Sequence, residues 1–179
     1  DVTLSYRDKV HVAENGNHIT TPKLAEQKEG NVETQVQSKI KNTDKKAAKV
    51  FVEQQIFTKE GKVVSELVRS ETKNLAENET ADFRQTILVN KPTLWTTKSY
   101  HPQLYVLKTK VYKEGQLVDV TEDTFGYRYF NWTAKDGFSL NGERMKFHGV
   151  SIHHDNGALG AEENYKATYR KLKLLKDMG

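Results

Sequence analysis

Residues 32–40 read V-E-T-Q-V-Q-S-K-I. Val32, Thr34, Val36, Ser38 and Ile40 fall on one side of an extended chain, and Glu33, Gln35, Gln37 and Lys39 on the other. Successive side chains of a strand point to opposite faces, so this spacing predicts a half-buried antiparallel strand. The same period of two recurs in residues 81–90, where Phe83, Gln85, Ile87 and Val89 alternate with Arg84, Thr86 and Leu88. It recurs again in residues 104–112, with Tyr105, Leu107, Thr109 and Val111 on one face.

The segments between these strands carry turn chemistry. Asn42-Thr43-Asp44 breaks the first strand, residues 49–58 (KVFVEQQIFT) resume β-rich composition, and Glu60-Gly61 turns the chain into a strand candidate over 62–68. A polar stretch, 70–79, follows. Lys113-Glu114-Gly115-Gln116 reads as a hairpin turn into a strand over 117–121. Shorter candidates are 2–6, 10–13 and 18–20. About seven or eight short strands at turn spacings near ten residues point to a β-sandwich of immunoglobulin type. The Cys–Trp–Cys signature of antibody domains is absent, since the chain has no Cys. Trp95, beside Pro92, reads as a packing anchor in preference to a sugar-stacking platform.

After residue 126 the pattern changes. Residues 125–130 (FGYRYF) read as an aromatic strand with Tyr127, Tyr129 and Phe130 as core packing. Lys135-Asp136-Gly137 is a turn, 138–140 a short strand, and Asn141-Gly142 a hairpin signal. Residues 144–150 (RMKFHGV) read as a strand holding His148 partly buried, followed by a polar, glycine-containing loop over 151–160. Tyr165, Tyr169, Leu172, Leu175 and Met178 then recur at steps of three and four, the stripe of an amphipathic helix. Glu162 and Glu163 are expected in its first turn, Lys171, Lys173 and Lys176 towards its end, and Gly179 at its stop. One strand, loop and helix cannot close a parallel sheet by themselves.

Composition narrows the function classes. Of the 179 residues, 36% are hydrophobic and 29% charged. No apolar run reaches the roughly 20 residues of a membrane span. The net charge of +4 divides into 19 basic and 18 acidic residues over 1–126 and 9 and 6 over 127–179. The cluster Lys41, Lys45, Lys46 and Lys49 is interrupted by Asp44 and falls in a turn, so no continuous basic stripe points to nucleic acid. His153, His154 and Asp155 adjoin on one loop, a poor arrangement for converging on one metal ion. Neither a metal nor an organic cofactor is expected.

Taken together, residues 125–161 and 164–179 resemble glycoside hydrolase family 2, at the junction where an immunoglobulin-like sandwich leads into a catalytic (β/α)8 barrel. The motifs are F-G-x-R at Phe125-Gly126-Tyr127-Arg128, F-x-L-N-G at Phe138-Ser139-Leu140-Asn141-Gly142, G-V-x-x-H at Gly149-Val150-Ser151-Ile152-His153, and L-K-x-M-G at Leu175-Lys176-Asp177-Met178-Gly179. Pro92-Thr93-Leu94-Trp95 resembles the family's P-x-L-W segment, and Ile19-Thr20-Thr21-Pro22 is also similar. The wording HHDNGALGA is similar to the β-galactosidase branch.

The resemblance implies a mainly β fold: an immunoglobulin-like antiparallel β-sandwich over residues 1–126, then a hairpin and the first β/α unit of a truncated TIM barrel over 127–179. It implies a retaining glycosidase, whose two carboxyl groups lie about 5–5.5 Å apart and act as acid/base and nucleophile. In the family both glutamates belong to later barrel strands, one in an Asn-Glu pair. Asn78-Glu79 lies between sandwich strands, outside that context, so this chain is expected to carry no catalytic residue and to be inactive alone. Both of its ends are expected to be cut from a longer polypeptide. Asp155 is the first substrate-binding candidate, followed by His153 and His154, because barrel sites form at the C-terminal ends of strands. At His154 some relatives carry Glu.

The expected partners are a carbohydrate substrate and the remaining domains of the parent chain, with a homo-oligomer also open. Neither nucleic acid nor membrane is expected, and a periplasmic or extracellular location is preferred. The alternatives are a non-enzymatic carbohydrate-binding or adhesin module of immunoglobulin type, or a β-glucuronidase or β-mannosidase of the same family. The strand over 144–150 and the lone helix are expected to expose apolar surface, with self-association or fraying after residue 126 unless they fold back on the sandwich.

Overall fold

The computed structural model describes residues 4–98, 102–153 and 155–178. In chain order its elements are β1 (Val10–Thr20), α1 (Leu24–Gln27), β2 (Asn31–Asn42), β3 (Ala48–Thr58), β4 (Val68–Arg69), β5 (Lys73–Leu75), β6 (Thr80–Asn90), β7 (Tyr105–Lys113) and β8 (Gln116–Phe125). There follow β9 (Phe130–Thr133), β10 (Gly137–Leu140), β11 (Glu143–Arg144), a 3-10 turn (Gly157–Leu159) and α2 (Tyr165–Asp177). The chain divides at Met145/Lys146 into two compact units. The three-stranded antiparallel sheet β9-β10-β11 thus falls in the first unit.

In the first unit, β1-β2-β6 form one antiparallel sheet, and β4-β3-β7-β8, with β5 beside β3, form a second. The mainly β, antiparallel fold expected from the period of two is present. Val32, Thr34, Val36, Ser38 and Ile40 are all buried, and the facing set on β2 is exposed or half-buried. The inward faces of β6 and β7 are likewise those expected. Both hairpin turns carry positive φ at their two central residues, 49° and 81° at Glu114-Gly115 and 53° and 85° at Asn141-Gly142. Those angles match the right-handed twist of the strands they join.

Apolar side chains collect in two clusters, one including Val10, Ile40, Val52, Phe83 and Val111, the other Val36, Ile56, Ile87, Leu107 and Tyr127. Between them, at one level across three strands, lie the buried polar residues Ser38, Gln54 and Thr109. Gln54 Nε2 donates to Ser38 Oγ at 2.9 Å and to Thr109 Oγ1 at 3.0 Å, which offsets part of the cost of burying these groups, while Gln54 Oε1 has no partner among the described residues. Strands β1 and β8, at adjoining edges of the two sheets, are tied by carboxylates. Asp119 Oδ2 accepts the Val12 N–H at 2.9 Å, and Asp123 Oδ2 accepts from Asn17 Nδ2 at 2.6 Å.

Several expectations need correction. Residues 126–129 form no strand: β8 ends at Phe125 and β9 begins at Phe130. Here the chain leaves the sheet around Trp95, whose N–H donates to the Tyr127 carbonyl at 2.8 Å. A Cβ on Gly126 would sit only 3.0 Å from Trp95 Cβ. Tyr127 plugs the core, fully buried, whereas Tyr129 is half-buried and Phe130 is 70% exposed against Phe138. Trp95 is a packing anchor as expected, with the Arg128 guanidinium 4.7 Å from its ring centroid.

Residues 145–150 form no strand either, and His148 is exposed. An apolar strand of a parallel sheet gains its hydrogen bonds and cover from flanking strands, and among the described residues β11 pairs only with β10 through Arg144 and Glu143. Residues 64–67 lack strand structure, reduced to a single bridge between Val63 and Phe57. Leu4–Tyr6 is not a strand, and residues 1–3, His154 and Gly179 lie outside the described residues. Helix α1, with Leu24 fully buried, is an element the periodicity did not predict. No helix among the described residues is long and apolar enough to cross a membrane.

Candidate functional site

In the second unit, the described residues 151–153 and 155–160 form the predicted loop, ending in the 3-10 turn, and α2 follows. Asn164 caps α2 by accepting from the Lys166 and Ala167 N–H groups at 3.1 and 3.3 Å. A side-chain cap satisfies helix donors that have no carbonyl partner, and so sets where the helix starts. Glu162 and Glu163 therefore precede the helix instead of occupying its first turn. The stripe Tyr165, Tyr169, Leu172, Leu175 and Met178 shares one face of α2 and is exposed, between 40% and 83%.

Asp155 is exposed on the loop, with Oδ1 accepting the Gly157 N–H at 3.1 Å. Lys171 reaches back from α2. Its Nζ lies 2.6 Å from the Asp155 carbonyl and 2.8 Å from Asn156 Oδ1. Asn156 Nδ2 donates onward to the Glu162 carbonyl at 2.7 Å, and its N–H to the Gly160 carbonyl at 2.9 Å. A small cleft of about 80 Å³ opens between loop and helix, lined by Ile152, His153, Asn156, Glu163, Thr168, Lys171 and Leu172. His153 thus faces the cleft, and Asp155 stands on the loop beside it. His154, the third expected site residue, lies outside the described residues. The sequence reading missed Lys171 and Asn156. It assigned Lys171 to the end of the helix as a dipole complement, and nothing in a one-dimensional pattern marks a lysine that folds back onto a loop.

Two larger clefts, about 470 and 440 Å³, lie on the sandwich on either side of Arg84 and Gln85. Their acidic lining residues are Glu71 and Asp82, and Asp82 is already engaged by Gln37 Nε2 at 2.9 Å and by Arg84. Glu79, of the Asn-Glu pair, belongs to a turn: its Oε2 accepts the Ala76 N–H at 2.6 Å, and Asn78 adopts a φ of 57°. Among the described residues no group of three or more His, Asp or Glu side chains is placed to hold a metal ion.

Known proteins supply the decisive comparison. The family described as Glycosyl hydrolases family 2 matches residues 10–128, which span the sandwich strands and the Tyr127 plug. The chain belongs to glycosyl hydrolase family 2. A β-galactosidase of Bacteroides ovatus, BoGH2A, is 34% identical over the whole chain, and a putative β-glucuronidase of Formosa agariphila 30% identical. In each case the match covers 20% of the relative, so the chain spans about a fifth of the length of these curated relatives. A family 2 member from Bacteroides cellulosilyticus, of known structure and 32% identical, superposes with a TM-score of 0.83 over 97% of this chain and 21% of its own. Relatives of this glycosyl hydrolase chain thus carry both galactosidase and glucuronidase names.

Proposed function

We propose that this chain is the sandwich and the opening of the catalytic barrel of a retaining β-glycosidase, with β-galactosides as the first substrate class. The observation that carries this reading is the uninterrupted match of the whole chain, sandwich and loop-helix together, to a β-galactosidase at 34% identity. The full-length match at 30% to a putative β-glucuronidase favours β-glucuronides as the second class. The catalytic carboxyl pair belongs to the rest of the polypeptide. The sandwich serves as a rigid support that packs against the barrel and positions the neighbouring domain.

In this reading the loop over 151–160 contributes to the rim of the sugar pocket. Asp155 accepts hydrogen bonds from two sugar hydroxyls through its carboxylate, a charge-assisted contact stronger than a neutral one. His153 orients the loop, and His154 lies between them in sequence. The test is to express the full-length protein and assay p-nitrophenyl β-galactoside, β-glucuronide and β-mannoside, following the anomeric product by NMR. Galactoside hydrolysis with retained configuration, and no turnover by residues 1–179 alone, is the expected result. Preference for the glucuronide would move the substrate class, inversion would remove the retaining mechanism, and sugar affinity without turnover in the full-length protein would leave a binding module.

A further inference from the structure

We infer that Lys171 is the positioning residue for Asp155, holding the loop so that the carboxylate meets the sugar; this rests on the reading of Asp155 as a sugar contact. None of the described residues of the loop over 151–160 is buried. No apolar packing therefore fixes its course, and a segment held by few buried contacts opens easily. The restraint has to come from polar bonds: several close within the loop itself, and two tie it to helix α2 through one ammonium.

Lys171 Nζ bonds the Asp155 carbonyl at 2.6 Å and Asn156 Oδ1 at 2.8 Å, across 16 and 15 residues of chain. Its neighbour on α2, Lys173, behaves as an ordinary helix-surface lysine and meets Asp177 on the same helix at 3.9 Å. The Lys171 contact is to the main chain of Asp155. It therefore locates the residue without neutralising its carboxylate. Asn156 passes the restraint on to the Glu162 carbonyl, and the Gly157 N–H engages one oxygen of the Asp155 carboxylate. Asp155 is thus held at its carbonyl by Lys171 and at one carboxylate oxygen by the Gly157 N–H, with helix α2 as the attachment point.

A sugar contact displaced by about 1 Å loses a large part of its effect, on the order of tenfold or more. The test uses the full-length protein with p-nitrophenyl β-galactoside and β-glucuronide, comparing Lys171→Met, Lys171→Arg, Asp155→Ala and the double variant Asp155→Ala/Lys171→Met, with Lys173→Met as control. For the better substrate, Lys171→Met is expected to raise KM about tenfold with kcat and melting temperature little changed. Lys171→Arg, which keeps a cationic donor on a long stem, recovers most of the loss, so a folding defect in the Met variant would not hide the effect. The double variant loses no more than Asp155→Ala alone, because residues acting through one contact are not additive. Additive losses, or a Lys171→Met enzyme equal to wild type beside an impaired Asp155→Ala, would overturn the inference about Lys171. Wild-type kinetics in Asp155→Ala would instead overturn the reading of Asp155, and the inference with it.

Discussion

The sandwich strands and helix α2 carry equally clear apolar periodicity and meet opposite fates. Every position on the inward face of β2 is buried, while no residue of α2 is. The difference lies in what each face meets. The two sheets of the first unit supply each other with a second layer, so their alternation becomes a core. In the second unit one helix and one loop have no such layer, and the stripe remains exposed. Periodicity declares which face is to be covered, and a core forms only where a second layer covers it.

That contrast can be broken by mutation. Ile87→Ala, at a fully buried position in β6, should cost roughly 2–5 kcal/mol by lost burial and a cavity. Leu172→Ala, 53% exposed in α2, should change the unfolding midpoint of the same chain by less than about 0.5 kcal/mol. Equal losses in a urea titration would mean that α2 packs as a core element.

Smaller effects sharpen the account of the sandwich. The Thr34 hydroxyl and the Tyr127 phenol, both buried, bond at 2.8 Å, and burial pushes the phenol well above its usual titration range. Thr34→Val leaves that phenol without its partner and should cost about 1–3 kcal/mol. Gly16 lies within the irregularity in β1 between Val12 and Asn17, and a Cβ there would lie 2.7 Å from the Ala13 carbonyl oxygen and 3.0 Å from that of Lys39. Both obstacles are backbone, so Gly16→Ala should destabilise by about 1–3 kcal/mol, read in the same titration. A neutral result would show that β1 shifts freely there.

The smallest effect is electrostatic. Hydrogen bonds from Lys113, the Lys45 N–H and Lys9 lower the Asp44 carboxyl from 3.8 to about 2. A pKa depressed on folding stabilises the native state above the unfolded value, and that contribution fades as pH falls through the folded one. Wild type should therefore lose stability between about pH 4 and pH 2 more steeply than Asp44→Asn. Parallel curves for the two proteins would remove Asp44 from the acid limb.

The sequence reading was strongest where one strand reports on itself. The faces of β2, β6 and β7 and the two hairpin turns were legible because a period of two and a turn dipeptide are local properties. It failed where the outcome depends on a distant partner. FGYRYF carries strand-forming aromatics, yet Trp95 and Gly126 draw the chain out of the sheet at that point. RMKFHGV has strand composition, and a strand exists only with neighbours to bond. At the candidate site, Asp155 and His153 could be named because a motif marks them, while Lys171 could not, because its role depends on a helix folding back over 16 residues.

The sequence alone therefore determined the family, the sheet faces and the position of the loop, since each is encoded in spacing and short motifs. Only the tertiary structure decided that Tyr127 fills the core, that a belt of Ser38, Gln54 and Thr109 divides it, and that Lys171 grips the Asp155 loop. Each of those depends on side chains far apart in sequence reaching hydrogen-bonding or van der Waals distance, which no local pattern specifies.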